Sequence, residues 1–180
     1  DRSPSRGLGD VYKRQLLFSP MLELKKDYKG RKNKLISNVG KISKDTRFKV
    51  GITPHDLTRN DEIIEETAND GLMLKKVTYS WYNLINEKMK ETMDHIRDIK
   101  PISALIMYGT KDKILETQSI NEMKDKLKSK EMYFKVWDGL YHEIHNEPER
   151  DLVMRYVLSF LNNSVNTMGF IVNEEEIEDI

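Results

Sequence analysis

Residues 102–112 read I-S-A-L-I-M-Y-G-T-K-D, and this stretch decides the fold. The run from Ile102 to Tyr108 is almost continuously apolar, which is typical of a parallel strand that is covered on both faces. Gly109 ends the run, and Asp112 follows in the loop. In open parallel sheets, ligands and catalytic groups gather beyond the carboxyl ends of the strands. The stretch therefore predicts a buried strand that presents a carboxylate at a site.

Strand and helix patterns alternate downstream of this run. A helix is expected over about 118–128, a strand over 132–137 and a last helix over about 147–161, since apolar residues recur there at helical or strand spacing. Asn146 is expected to cap the last helix, with Glu149 as its capping-box partner and a proline in the first turn. This βαβα order predicts an α/β fold, with a mostly parallel sheet flanked by helices and a right-handed crossover.

The upstream half predicts an insertion between two strands of that sheet. Leu16 begins a short apolar run that ends at Pro20, as a buried strand leaving a sheet would. Helices are expected over about 61–69 and 78–95, and we interpret residues 25–95 as a helical cap, or lid, whose first part is an exposed excursion. The second helix is expected to bury one apolar face, made of Val77, Trp81, Leu84, Ile85, Met89 and Met93.

The two ends of the chain differ from the body, which spans residues 16–161. Residues 1–15 have no periodicity and resemble a translated sequencing adapter, so they are left out of fold reasoning; a basic disordered arm is the alternative. A protein that begins on a core strand is expected to be the C-terminal part of a longer one. Residues 162–180 form an acidic tail that is expected to be mobile, unless residues 170–172 add a strand.

Two reactive side chains follow sequential strands. Asp112 lies in the loop after the first strand, and His142 lies in the loop after the second, within D-G-L-Y-H-E-I-H-N-E-P. Because the two strands belong to one βαβ unit, the side chains can meet at the sheet edge. A carboxylate on one imidazole nitrogen fixes the tautomer and leaves the other nitrogen able to accept a proton from a nucleophile. In α/β-hydrolases the acid also precedes the histidine, after the serine.

These motifs resemble the monoacylglycerol lipase, lysophospholipase and serine aminopeptidase-like group of α/β-hydrolases. The segments concerned are L-I-M-Y-G-T-K-D-K-I (105–114), G-L-Y-H-E-I-H-N-E-P-E-R-D (139–151), L-L-F-S-P-M-L (16–22) and L-T-R-N-D-E-I-I-E-E (57–66). The resemblance extends over residues 16–161 and implies that Asp112 is the triad acid and His142 the general base. It also implies an acyl pocket in the cap, with candidate lining residues Leu72, Met73, Leu74, Trp81 and Leu84.

The family's nucleophile motif is absent from these residues. No G-x-S-x-G occurs, and neither does an oxyanion-hole segment, so the expected fold is a truncated α/β-hydrolase that is inactive by itself. Ser19 and Ser37 are poor substitutes because neither is flanked by glycines in a strand-to-helix turn. The intact enzyme is expected to hydrolyse carboxylic esters through an acyl-serine without any cofactor.

Several functional alternatives remain open at this stage. Monoacylglycerols or lysophospholipids rank first as substrates, small esters second, and peptides or amides third. A non-catalytic binding protein on the same fold is a different class of function, although retention of both Asp112 and His142 argues against it. A haloalkane-type hydrolase would instead place an aspartate at the nucleophile position.

Composition excludes other classes of function. Thirty basic and thirty acidic residues give a net charge of zero, which does not indicate a nucleic-acid partner. Cysteine is absent, and H-E-x-H at His142 lacks the spacing of a helical zinc site, so no metal is expected. No signal or membrane span is evident, which predicts a cytoplasmic location. A lysine run over 124–130 allows at most a transient membrane-surface contact, and the oligomeric state stays open.

Overall fold

The protein is built on a three-stranded parallel sheet, and a computed structural model describes residues 14–25, 45–49, 51–99, 103–127 and 132–162. The strands are β1 (Arg14–Phe18), β2 (Arg47–Phe48), β3 (Val77–Thr78), β4 (Ser103–Gly109) and β5 (Met132–Trp137). The helices are α1 (Pro54–Leu57), α2 (Asp61–Asn69), α3 (Tyr79–Asp94), α4 (Gln118–Lys126) and α5 (Arg150–Leu161), with 3₁₀ turns at Ile96–Asp98 and Ile144–Asn146. The main sheet has the order β1-β4-β5.

Strand β4 is the buried centre of that sheet. It pairs in parallel with β1 and with β5, so that Leu105 lies between Leu16 and Tyr133. Its side chains alternate between two cores: Leu105 packs with residues of α5, whereas Ile106 packs with residues of α4. Because both faces are covered, an uninterrupted apolar run is stable there. The predicted α/β architecture is confirmed, and β5 has the predicted bounds.

Strand β1 begins at Arg14, two residues before the expected start at Leu16. Arg14 pairs with Ser103, and its guanidinium lies over the Phe160 ring, 5.6 Å from the ring centroid, while donating a 2.9 Å hydrogen bond to the Phe160 carbonyl. The apolar pattern missed these two residues because Arg14 and Gln15 are polar. Of the exposed excursion expected over about 25–51, residues 26–44 and 50 lie outside the described residues, as does the tail beyond 162, while Arg47–Phe48 forms β2.

The insertion between β1 and β4 contains more than the predicted helices. Helix α2 has the predicted bounds, with Asn60 accepting a hydrogen bond from the Glu62 N–H at its start. Strands β2 and β3 form a separate antiparallel pair, which the sequence patterns did not indicate because each strand has only two residues. No helix in the described ranges is long and apolar enough to cross a bilayer.

Helix α3 lies where it was expected, and its predicted face is packed in part: Met89 is buried, and Val77, Ile85 and Met93 pack against the core. Tyr82 and Met89 are its buried residues, and Tyr82 makes an edge-to-face contact with Phe48 of β2. Trp81 and Leu84, which were expected on the buried face, are 46% and 50% exposed. Because Tyr82 packs against Phe48, the adjacent Trp81, which is rotated by about 100° around the helix axis, points away from this contact.

The last helix also begins later than expected, at Arg150. Asn146 does not cap it; its side-chain amide donates to Glu143 instead, at 2.8 Å. Residues before the helix form the 3₁₀ turn at Ile144–Asn146, and Glu147 is extended. The reason is that the Glu147 carboxylate is buried in contacts with a distant segment, described below, which hold this residue out of the helix.

Candidate active site

The loop after β4 fixes the Asp112 carboxylate. Asp112 is fully buried, and its Oδ1 accepts hydrogen bonds from the backbone N–H groups of Ile114 (2.8 Å) and Leu115 (2.9 Å). Those two residues are themselves buried in a core shared with the insertion. Because two N–H groups hold one oxygen, the other oxygen, Oδ2, has a defined direction.

The loop after β5 brings His142 to that second oxygen. His142 Nδ1 lies 2.8 Å from Asp112 Oδ2, and the imidazole is largely buried. A neutral imidazole that donates its Nδ1–H to Asp112 carries its lone pair on Nε2. The pair therefore has the chemistry of an oriented general base, which can take a proton from a hydroxyl or water and return it to a leaving group.

The two loops touch where β4 ends. A Cβ at Gly109 would lie only 2.1 Å from the Leu140 carbonyl oxygen, so no side chain fits there. Backbone hydrogen bonds also join the loops: Thr110 N–H donates to the Trp137 carbonyl (2.9 Å), and Lys111 N–H donates to the Leu140 carbonyl (3.0 Å). The absence of a side chain at Gly109 thus allows the loops to approach closely enough for Asp112 and His142 to meet.

The backbone around His142 is held from three other segments. Ser19 Oγ donates a 2.6 Å hydrogen bond to the His142 carbonyl, and Ser19 has a positive φ of 44°. Tyr141 N–H donates to Glu147 Oε1 at 2.7 Å, and Glu143 N–H donates to the Leu57 carbonyl at 2.8 Å. Residues 141–143 therefore have a fixed position although they lie in neither a helix nor a strand.

Glu147 is a buried carboxylate paired with a residue of the insertion. Its Oε2 accepts hydrogen bonds from Arg59 Nε (2.9 Å) and from the Arg59 backbone N–H (3.3 Å). Arg59 also donates to Glu149 at 2.6 Å. Burial by itself lowers the pKa of Arg59, but the Glu149 hydrogen bond and the charges of Glu147 and Glu149 outweigh burial and raise this pKa. A buried charge needs such pairing to be tolerated.

Comparison with known proteins identifies the family. Residues 9–149 match the family described as serine aminopeptidase, S33, which is more than half of the chain and includes both Asp112 and His142. The chain belongs to this family. Phospholipase YtpA of Bacillus subtilis (strain 168) is 26% identical over 150 residues, which cover 83% of this chain and 58% of that protein.

Two solved structures share the fold of this S33 family member. The crystal structure of a Paleococcus ferrophilus monoacylglycerol lipase matches with a TM-score of 0.73 at 21% identity, covering 83% of this chain and 58% of that one. A soluble variant of monoglyceride lipase from Saccharomyces cerevisiae, in complex with a substrate analog, matches with a TM-score of 0.74 at 14% identity, covering 87% and 58%. The fold is that of the α/β-hydrolases, and the chain spans 58% of the length of each of these relatives.

The structure does not gather the five candidate lining residues of the S33 chain into one pocket. Leu72 and Leu74 lie between α2 and β3 and are 87% and 81% exposed, with Met73 partly buried between them; Trp81 and Leu84 lie on the exposed side of α3. Two clefts, of about 330 and 250 Å³, are lined by none of these five residues, although the second includes Asn86, Met89 and Lys90 of α3. Their role in substrate binding stays a prediction.

Polar groups near His142 order the loop. Glu143 accepts from the Asn146 amide, and Glu147 is used by Tyr141 and Arg59. The His145 ring packs against Phe18, with ring centroids 5.3 Å apart. Within the described ranges, no group of three or more His, Cys, Asp or Glu side chains is arranged to hold a metal.

Sequence reasoning missed two supports of the His142 loop. Ser19 was considered only as a substitute nucleophile, yet its hydroxyl donates to the His142 main-chain carbonyl. Ser37, the other serine considered, lies outside the described residues. Arg59 was noted only as part of the L-T-R-N-D segment, because a contact across 88 residues leaves no periodic signal.

Proposed function

We propose that Asp112 and His142 are the acid and the general base of a Ser-His-Asp triad in a carboxylic ester hydrolase. The observation that carries this proposal is the buried 2.8 Å contact between His142 Nδ1 and Asp112 Oδ2, beyond the carboxyl ends of β4 and β5. Membership of the S33 family and the α/β-hydrolase fold support it.

In this mechanism His142 carries one proton in each of two steps. Nε2 takes the proton of a serine hydroxyl as the serine oxygen attacks the ester carbonyl, and Asp112 stabilises the imidazolium that forms. His142 then gives the proton to the leaving alcohol, and the acyl group stays on the serine. Water then attacks the acyl carbon while Nε2 takes its proton, and the bond between the acyl carbon and the serine oxygen breaks as Nε2 gives that proton to the serine oxygen, which releases the acid. The reaction needs no metal or organic cofactor.

We further propose that the nucleophile and the oxyanion donors come from sequence outside these 180 residues. The chain contains no G-x-S-x-G, and the hydroxyl of Ser19 is engaged by the His142 carbonyl. Without the serine no acyl intermediate forms, so the 180-residue chain alone is inactive toward esters.

The substrate class proposed is a monoacylglycerol or a lysophospholipid. The relatives named above are a phospholipase and monoacylglycerol lipases, and the insertion exposes large apolar side chains that suit an acyl chain. The exposed candidates are Leu72, Leu74, Trp81 and Leu84. An apolar surface discriminates each methylene by only about 1–3 kcal/mol, so we expect a broad chain-length preference. Small esters rank second, and peptides or amides third.

The test uses the natural reading frame extended upstream of Leu16. We expect a G-x-S-x-G segment in that frame, hydrolysis of monoacylglycerol by the extended protein, and none by the 180-residue chain. His142→Gln should abolish hydrolysis, whereas His95→Gln, which alters another histidine paired with an aspartate, should not. Hydrolysis that survives His142→Gln, or an upstream frame without a nucleophile motif, would overturn the proposal.

A further inference from the structure

We infer that Glu147 is a positioning residue for His142, and that it acts by latching the His142 loop to residues 57–59 of the insertion. The inference deepens the proposed function and rests on it, since the position of His142 matters for catalysis only if His142 is the general base. It concerns groups that touch neither the substrate nor the reacting atoms.

The first argument is that Glu147 holds the loop directly next to His142. Its Oε1 accepts the N–H of Tyr141, the residue immediately before His142, at 2.7 Å. On the other side of His142, Glu143 N–H donates to the Leu57 carbonyl at 2.8 Å. Since residues 138–143 belong to no helix or strand, these bonds take the place of a regular backbone ladder.

The second argument is that both Glu147 oxygens are used, each on a different segment. Oε1 faces Tyr141 of the loop, and Oε2 faces the backbone and guanidinium of Arg59. The side chain is fully buried, so water cannot replace either partner. Arg59 is therefore linked to Tyr141, the residue next to His142, through the Glu147 carboxylate, and its guanidinium also lies over the Tyr141 ring, 6.0 Å from the ring centroid.

The third argument is that the latch has a second, parallel connection. Thr58 is buried, and its Oγ1 donates to the Asn146 carbonyl at 2.9 Å. Leu57, Thr58 and Arg59 thus all contact residues of the segment 143–147. Residues 57–59 of the insertion and the His142 loop are therefore joined, which links the position of the general base to the position of this part of the insertion.

The experiment measures the His142 ring in the 180-residue chain, which contains four histidines. Nitrogen-15 shifts of the two ring nitrogens report which one carries the proton, and the His142 signals are assigned by their loss in His142→Gln. We expect one dominant tautomer, protonated on Nδ1, in the unaltered chain. Glu147→Gln should give a mixture of tautomers, because the loop is released while the side-chain shape is kept.

Glu149→Gln is the matched control. Glu149 pairs with the same guanidinium, and the variant removes the same charge, but the Glu149 carboxylate is partly exposed and accepts from Arg59 Nη2. The His142 signals should not change in that variant. Unchanged His142 signals in folded Glu147→Gln would overturn the inference, as would an equal change in both variants.

A second variant keeps the test decisive if Glu147→Gln does not fold. Arg59→Gln removes the cation that holds Oε2, together with its contact over the Tyr141 ring, but leaves the Glu147 carboxylate and the Tyr141 N–H unaltered, and it should also mix the His142 tautomers. His142 signals identical to those of the unaltered chain in Arg59→Gln would then overturn the inference.

Activity of the upstream-extended protein separates this inference from the proposed function. Glu147→Gln should lower kcat for ester hydrolysis by roughly 100-fold with little change in KM, since a misplaced catalytic group costs about that factor. If His142→Gln abolishes hydrolysis but Glu147→Gln leaves kcat unchanged, only the latch is wrong. If His142→Gln leaves hydrolysis intact, the proposed function is wrong whatever the ring signals show.

Discussion

Two histidine–aspartate pairs in this molecule have nearly the same contact distance but very different surroundings. His142 Nδ1 lies 2.8 Å from Asp112 Oδ2, and His95 Nδ1 lies 3.0 Å from Asp98 Oδ2. The side chains of the first pair are 19% and 0% exposed, and those of the second are 70% and 76% exposed. Distance alone therefore does not separate a candidate catalytic pair from a surface contact.

What separates the pairs is how each carboxylate is held. Asp112 comes from a loop 30 residues away from His142, and its other oxygen is held by two backbone N–H groups. Asp98 lies three residues after His95, at the end of a 3₁₀ turn, where water competes for both oxygens. A buried carboxylate held by two N–H groups fixes one orientation of the imidazole. In an exposed pair that is close in sequence, water readily replaces the hydrogen bond between the two side chains.

The largest effect on activity is expected from a substitution that breaks the buried pair. Asp112→Asn in the upstream-extended protein should lower kcat for ester hydrolysis by roughly 10⁴-fold, because an amide facing Nδ1 favours the wrong tautomer. Asp98→Asn, the same change in the exposed pair, should leave kcat within experimental error. The measurement is steady-state hydrolysis of monoacylglycerol. Similar losses of kcat in both variants would contradict a functional difference between the buried pair and the exposed pair.

The next effect concerns the contact that brings the buried pair together. Gly109→Ala should destabilise the chain by about 3 kcal/mol, at the upper end for overpacking, because the added Cβ would meet the Leu140 backbone. Gly71→Ala is the matched control, since nothing lies within 4 Å of its added Cβ. Urea unfolding gives both free energies, and a Gly109→Ala value as small as that of Gly71→Ala would be inconsistent with the close approach.

The smallest effect belongs to the exposed pair and depends on pH. The Asp98 hydrogen bond raises the pKa of His95 above its ordinary value of about 6.5. The folded state therefore favours protonated His95, so the pair stabilises the fold fully below the unfolded pKa and loses this contribution as pH rises through the folded pKa.

Urea midpoints of the unaltered chain and of His95→Gln provide the measurement. Their difference should be small and largest in acid, should vanish in mildly alkaline buffer, and should shrink with added salt because the pair is exposed. A difference that grows as the pH rises would show that the sign is wrong.

The sheet could be predicted from sequence because its signals are local. Strand β4 is a run of buried side chains, and Asp112 and His142 follow strands that are joined by a single helix. Parallel strands place such residues at one edge of a sheet, so the meeting of the two side chains followed from order alone. The coarse fold and the buried pair therefore needed no knowledge of distant contacts.

Two of the missed features depend on distant partners. The burial of Tyr82 on α3 depends on Phe48, which comes from a two-residue strand too short to show periodicity. The late start of α5 depends on Arg59, which lies 88 residues before Glu147 in sequence and holds Glu147 in an extended conformation. Periodicity reports what a segment buries, but it does not report which other segment covers it.

The strand order of the sheet also has a consequence for how the chain folds. Pairing β1 with β4 closes a loop of roughly 90 residues, whereas pairing β4 with β5 closes one of roughly 30. The entropic cost of closing the longer loop is therefore about 1 kcal/mol higher. A folded insertion shortens the flexible part of the longer loop. The helices and the small β2–β3 pair between the strands therefore reduce the entropy lost when β1 docks, in addition to anything they contribute at the site.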